Sequence, residues 1–190
     1  MDINCGSVRA DNRTVVYAAW VLYGVNRRGI CKADRIRTIT FSFKLARLYG
    51  KKITIGLVPC AIGGSSIEQW LGDSTYRNVT LYSNLMKKVK VAAEYGTIKG
   101  MLWHQGETNA STDNYKNYKQ KLESFFTKVR NDLNNPDLPI YAGELSSFLN
   151  RKTNPFADSV NNDLHVFCQV KKYVCYQNRR PYSKIRYCSF

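Results

Sequence analysis

Apolar positions in the middle of the chain follow two alternating periods. Ile53 to Ala61 is a short, mainly apolar run bounded by Lys51-Lys52 and Gly63-Gly64, which predicts a buried strand. Leu81, Leu85, Val89, Ala92 and Ala93 recur at helical spacing, and Gly96 ends that run. Ile98 to Trp103 predicts a second strand. Tyr115, Tyr118, Leu122, Phe125, Val129 and Leu133 then form one face of a long helix that stops before Pro136. Leu138 to Leu145 predicts a third strand, and Phe156, Val160, Leu164 and Phe167 a last helix starting near Asn154-Pro155. Upstream, Phe43 to Tyr49 reads as helical with Gly50 as its stop. Val15 to Tyr23 is apolar, but it lies late behind a mixed-charge leader without a small-residue cleavage site. It reads as a buried strand or helix rather than a secretion signal.

Strands alternating with helices imply parallel strands with right-handed crossovers, and hence a three-layer α/β/α sandwich around a parallel sheet. Ligands of such folds bind beyond the carboxyl ends of the strands. Two loops of unusual chemistry leave those ends: Ile62-Gly63-Gly64-Ser65-Ser66 and His104-Gln105-Gly106-Glu107-Thr108.

Composition changes this picture little. The 190 residues fit one domain, and no apolar run reaches the 18 residues that a membrane-spanning helix needs. The formal charge of +15 invites a nucleic-acid reading, which its distribution argues against. Residues 1–38 hold seven Lys/Arg against three Asp/Glu, and residues 164–190 hold six against none. Thus +10 of the +15 lies in the two ends. Six cysteines without a CxxC pair, and only two histidines, give no metal-ligating pattern, so no metal or cofactor is expected. Asn78-Val79-Thr80 and Asn109-Ala110-Ser111 fit the glycosylation acceptor pattern.

Glycine after a strand lets a ligand approach backbone N–H groups closely, and the helix that follows adds unpaired donors. Gly63-Gly64 can therefore form a phosphate cradle, a nucleophile turn, an oxyanion donor, or simply a tight turn with Ser66 as helix cap. The P-loop is excluded, because no Lys-Ser/Thr pair follows at the required spacing. The G-x-S-x-G elbow is excluded too, because its last glycine is missing. In the second loop, Gln105 can offer a side-chain N–H to a developing oxyanion and Glu107 can orient a histidine. Glu107 can equally be a surface acid, and His104 a half-buried histidine bonded to backbone. Trp70 and Trp103 read as core residues rather than sugar platforms.

The stretch from Ile55 to Trp70, IGLVPCAIGGSSIEQW, followed by KGMLWHQGET from Lys99 to Thr108, resembles the sialate O-acetylesterase-like carbohydrate esterases of the SGNH hydrolase superfamily. DLPIYAGEL, from Asp137 to Leu145, is similar to the strand that follows in those proteins. The likeness covers residues 35–167. It implies a flavodoxin-like SGNH core between an atypical basic segment, 1–34, and an atypical basic tail, 168–190, with the fold incomplete at both ends. It also implies deacetylation of acetylated sugars by a serine nucleophile, a histidine base and an acid. On the matching positions, Gly63, Gly64 and Gln105 would form the oxyanion hole, and Glu107 would orient the histidine. Ser65, Ser66 and His104 would face the substrate pocket.

The chain departs from the family pattern at two motifs. The family's Gly-Gln-Ser-Asn nucleophile motif is missing, and Ser7 in Cys5-Gly6-Ser7 is its nearest approximation. The Asp-x-x-His motif is approximated by Asn162-Asp163-Leu164-His165, which makes His165 the candidate base although it falls on the last expected helix. The two ends read like text from a shifted reading frame. The expected function is thus a carbohydrate O-acetylesterase-like hydrolase acting on acetylated carbohydrate. A non-catalytic carbohydrate-binding relative is the first alternative, and a basic nucleic-acid-binding protein the second. The sequence assigns no compartment, although relatives of this type are often secreted.

Overall fold

The alternation expected between residues 53 and 167 is present in the computed structural model of the chain, which describes residues 14–19, 54–111, 113–146, 149, 152–170 and 174–176. Strand β1 spans Thr14–Ala19 and β2 spans Thr54–Pro59. A short helix α1, Ile67–Leu71, leads into a hairpin of β3, Thr75–Tyr76, and β4, Val79–Thr80. Helix α2 (Leu81–Ala93), strand β5 (Thr97–Trp103) and the single turn α3 (Glu107–Ala110) follow. The chain continues through α4 (Tyr118–Asp132), β6 (Ile140–Gly143), α5 (Ala157–Val170) and β7 (Val174–Tyr176).

Five of these strands form one sheet in the order β2-β1-β5-β6-β7, and every pairing is parallel. Parallel neighbours require crossovers, and helices α2, α4 and α5 supply those from β2 to β5, β5 to β6 and β6 to β7, whereas the connection from β1 to β2 lies outside the described residues. Ala18 of β1 lies opposite Val58 of β2 on one side and Met101 of β5 on the other. Numbered along the chain, the five strands run 2-1-3-4-5, so the winding reverses at β1. In sheets of this order the ligand crevice lies outside the carboxyl ends of the strands at that reversal. The loops after β2, β5 and β6 all leave from this edge.

Val15 to Tyr23, read as a buried strand or helix, supplies strand β1 through residue 19, paired on both sides by β2 and β5. Two of the five strands, β1 and β7, come from the segments read as atypical ends. The helix expected over Phe43 to Tyr49 lies outside the described residues. The long helix begins at Tyr118 rather than Tyr115, because Asn117 adopts a left-handed φ of 61° after a 3₁₀ turn at Asp113–Tyr115. Released from the helix, Tyr115 stacks on Phe156 with ring centroids 4.0 Å apart. The β3–β4 hairpin was not foreseen, since strands of two residues have no period to read.

The core gathers around Trp103, which ends β5. Its ring meets Phe125 at 4.7 Å, Phe126 at 5.7 Å and Trp70 at 6.0 Å between centroids. Both tryptophans are 1% exposed, so they are packing residues, as the sequence indicated. No helix among the described residues is long and apolar enough to cross a membrane, and none of them group into a metal-ligating cluster.

Candidate active site

The first wall of the site is the glycine turn beyond β2. Gly64 has φ 86° and is exposed, a conformation that a side chain would strain. Ser65 and Ser66 follow it at only 5% and 7% exposure. The Ser65 hydroxyl donates to the Ile62 carbonyl at 2.8 Å and accepts the Trp70 indole N–H at 2.9 Å. It therefore pins the turn to the core. The Ser66 backbone N–H is taken by the side chain of Gln69 at 2.8 Å, one half of a capping box that starts α1. Cys60 is no competing nucleophile, because burial pushes its thiol up to about 11. Ser65→Ala is expected to cost about 1–2 kcal/mol by orphaning the buried indole N–H. Denaturation of the variant measures this, and any acetate release by the parent should survive in it.

The second wall is the loop beyond β5. Gly106 has φ 139°, and a Cβ there would stand 2.8 Å from Val160 Cγ1, so α5 can close on this loop only over a glycine. Gln105 Nε2 donates to the Ser65 carbonyl at 3.1 Å and to Asn109 Oδ1 at 2.7 Å. Its Oε1 accepts the Tyr118 hydroxyl at 3.0 Å. Both hydrogens of the amide are thus engaged in this structure. Thr108 Oγ1 donates to the Gly64 carbonyl at 2.9 Å, which fixes the glycine turn against the second loop. Asn109 is 0% exposed; its Oδ1 also accepts the Ile67 N–H at 3.1 Å, and its Nδ2 donates to Glu68. Burial alone would raise the Glu68 carboxyl, but Lys121 at 2.5 Å and Asn109 hold it below its usual range. Read along the chain, Asn109 has no role beyond a glycosylation triplet. Its complete burial excludes modification in the folded state, whereas Asn78 lies exposed on the hairpin turn.

The titratable groups are distributed differently from the expected pattern. Glu107 opens α3, and its Oε1 is buried without a hydrogen-bond partner among the described residues. Burial pushes its carboxyl up to about 7. His165 pairs with Glu144 through Nε2, not with Glu107. Glu144 is 8% exposed and sits directly beyond β6 at the carboxyl edge of the sheet. One helical turn before His165, Asn161 brackets the Leu145 backbone, accepting its N–H at 2.8 Å and donating to its carbonyl at 3.1 Å. A carboxylate straight after an apolar strand was the available signal for Glu144. His104 packs against Gly143, where a Cβ would stand 2.7 Å from its Cδ2. Ser7 lies outside the described residues. The structure thus joins Gly64, Ser65, Gln105, Thr108 and Asn109 directly, and gives His165 a carboxylate the sequence had not assigned to it.

Known proteins resemble this chain in sequence and in fold. A probable carbohydrate esterase of Arabidopsis thaliana, At4g34215, is 34% identical over 103 residues, covering 53% of this chain and 38% of its own length. The X-ray structure of the Arabidopsis thaliana protein AT4G34215 superposes with a TM-score of 0.59 at 27% identity, over 73% of this chain and 54% of that one. A carbohydrate acetylesterase from Xanthomonas citri, XAC1771, shares the fold with a TM-score of 0.56 at 22% identity, over 73% of this chain and 33% of its own. NanS does so with a TM-score of 0.55 at 20% identity, over 73% of this chain and 50% of its own. The chain therefore spans well under two thirds of each of these relatives. The family model for carbohydrate esterases described as sialic acid-specific acetylesterases matches residues 29–179, and the chain belongs to that family.

Proposed function

We propose that the chain carries the core of a carbohydrate O-acetylesterase, which releases acetate from acetylated sugars by serine attack on the acetyl carbonyl. The observation that carries this reading is the direct bonding of the two loops at the carboxyl edge of the sheet. Thr108 holds the Gly64 carbonyl and Gln105 holds the Ser65 carbonyl, so a glycine turn, an amide and a carboxylate stand together. The strand order supports a three-layer, flavodoxin-like sandwich around them.

In this reading the tetrahedral oxyanion lies against the backbone N–H groups of Gly63 and Gly64. Gln105 joins them by giving up its longer contact, to the Ser65 carbonyl, for the substrate oxygen. One such donor contributes about 10²–10³ in rate. The attacking hydroxyl is assigned to Ser7. Two carboxylates compete to orient the base: Glu107, at the position matching the family's acid, and Glu144, which already holds His165. We assign the role to Glu107, whose buried Oε1 has no other hydrogen-bond partner among the described residues. If His165 is the base and stays with Glu144, Glu144→Gln should lower acetate release more severely than Glu107→Gln does. Acetate release from an O-acetylated sugar and from p-nitrophenyl acetate tests the whole reading.

A second reading is favoured by the missing Gly-Gln-Ser-Asn motif: a family member that binds acetylated sugars without hydrolysing them. Sugar binding by folded protein with no acetate release on either substrate would establish it. Nucleic-acid binding rests on net charge alone, and an affinity falling steeply with salt would reveal it.

A further inference from the structure

The β3–β4 hairpin stands beside the glycine turn and is built in a costly way. Its two-residue turn, Arg77-Asn78, places both residues in the left-handed region, at φ 50° and 62°. Glycine, asparagine and aspartate fill such a turn readily. Asn78 conforms; Arg77, with a long side chain, does not, and strain of this kind concentrates at ligand-handling positions.

The Arg77 guanidinium lies back over the neighbouring ring, with Cζ 5.5 Å from the Tyr76 centroid. Both side chains reach the glycine turn. The Tyr76 hydroxyl is 3.0 Å, and Arg77 Nη2 3.7 Å, from the point where a Cβ on Gly64 would stand. The flanking carboxylates are committed elsewhere: Glu68 binds Lys121 and Asn109, and Asp73 binds the backbone and hydroxyl of Ser83. A positive charge is thus held at the rim of an exposed glycine turn, beside the place where an acetyl ester would react.

We infer that Arg77 is a specificity-determining residue, whose guanidinium receives the carboxylate of an acidic sugar while that sugar's acetyl group lies at Gly63-Gly64. The inference rests on the esterase reading. A planar guanidinium matches a carboxylate with two parallel N–H donors, a match that neutral sugars cannot use. The Tyr76 ring beneath it keeps the guanidinium near the turn and presents its hydroxyl to the same sugar.

The experiment compares kcat/KM for an O-acetylated sialic acid with that for its carboxyl methyl ester, in the parent, Arg77→Gln and Arg77→Lys. The parent should favour the free carboxylate by about 10-fold or more. Arg77→Gln should bring the ratio near 1, chiefly through KM, and Arg77→Lys should keep an intermediate ratio. A ratio unchanged in Arg77→Gln overturns the inference. NMR titration with sialic acid and its methyl ester reads the same selectivity without turnover. If no variant releases acetate, the esterase reading fails while the titration still decides the role of Arg77. Arg77→Gly guards against misfolding, because glycine relieves the left-handed backbone. Lost selectivity with a thermal midpoint at or above the parent's supports the inference. A midpoint well below the parent's makes Arg77 a structural part of the hairpin and overturns it.

Discussion

Replacing Glu107 by glutamine should make the protein more stable at pH 8 and, in the esterase reading, nearly abolish acetate release. The carboxyl ordinarily titrates at 4.5, and burial pushes it up to about 7 in the fold. Below pH 4.5 the folded and unfolded chains both carry the proton. Between pH 4.5 and 7 the folded chain keeps a proton that the unfolded chain has released, so stability falls as pH rises. Above pH 7 the full cost of the buried charge is present. Allowing for the partial exposure of the side chain, that cost is about 1–2 kcal/mol. Glutamine has nearly the same shape and no charge, so the variant should lose this slope and gain that amount at pH 8. Chemical denaturation at pH 5 and pH 8 measures both effects. A parent with equal stability at the two pH values would mean that Glu107 is solvated, and would remove it from the site. On an active parent in which Glu107 orients the base, as proposed, its loss lowers kcat by about 10⁴-fold. Stability and activity would then move in opposite directions, the behaviour of a group kept for chemistry rather than for folding.

The β-α alternation was legible because it depends on local periodicity. Ile53 to Ala61 and Leu81 to Ala93 have nearest-neighbour patterns that no other part of the chain needs to complete. The element ends were less legible. The expected strand from Leu138 to Leu145 contracts to Ile140–Gly143, because pairing with the short Met101–Trp103 segment of β5 limits it. The glycine turn and the Gln105-Gly106-Glu107 loop were readable as motifs, since chemistry there is concentrated in a few consecutive residues. Their connection was not. The bond from Ile67 to Asn109 spans 42 positions, and Glu144 meets His165 across 21. No local pattern marks either pair. The hairpin that brings Arg77 to Gly64 is equally hidden, because its turn uses an arginine where sequence rules look for glycine or asparagine.

Removal of the Asn109 side chain should have the largest effect on stability of any polar change at the site. Its Oδ1 accepts hydrogen bonds from Ile67 N and Gln105 Nε2, and its Nδ2 reaches both carboxylate oxygens of Glu68 at 3.0 and 3.1 Å. Asn109→Ala leaves the Ile67 N–H buried without a partner, since Ile67 is itself 0% exposed. Glu68 suffers less, because Lys121 stays within 2.5 Å and water reaches that end of the network. One orphaned backbone donor, one half-released amide and a small cavity together cost about 3–4 kcal/mol. Asn109→Asp separates the two halves of the side chain's work. It keeps the acceptors for Ile67 and Gln105 but turns a charged oxygen toward Glu68. The aspartate variant should therefore resemble Asn109→Ala at pH 8 and recover at pH 4, where protonation relieves the repulsion. Denaturation of the three proteins at both pH values checks the ordering. A loss below 1 kcal/mol in Asn109→Ala would show that the loops are held by Thr108 and the core instead. The predicted loss would show that the glycine turn and the Gln105-Gly106-Glu107 loop are one mechanical unit, so that a shift in either wall moves the proposed oxyanion donors with it.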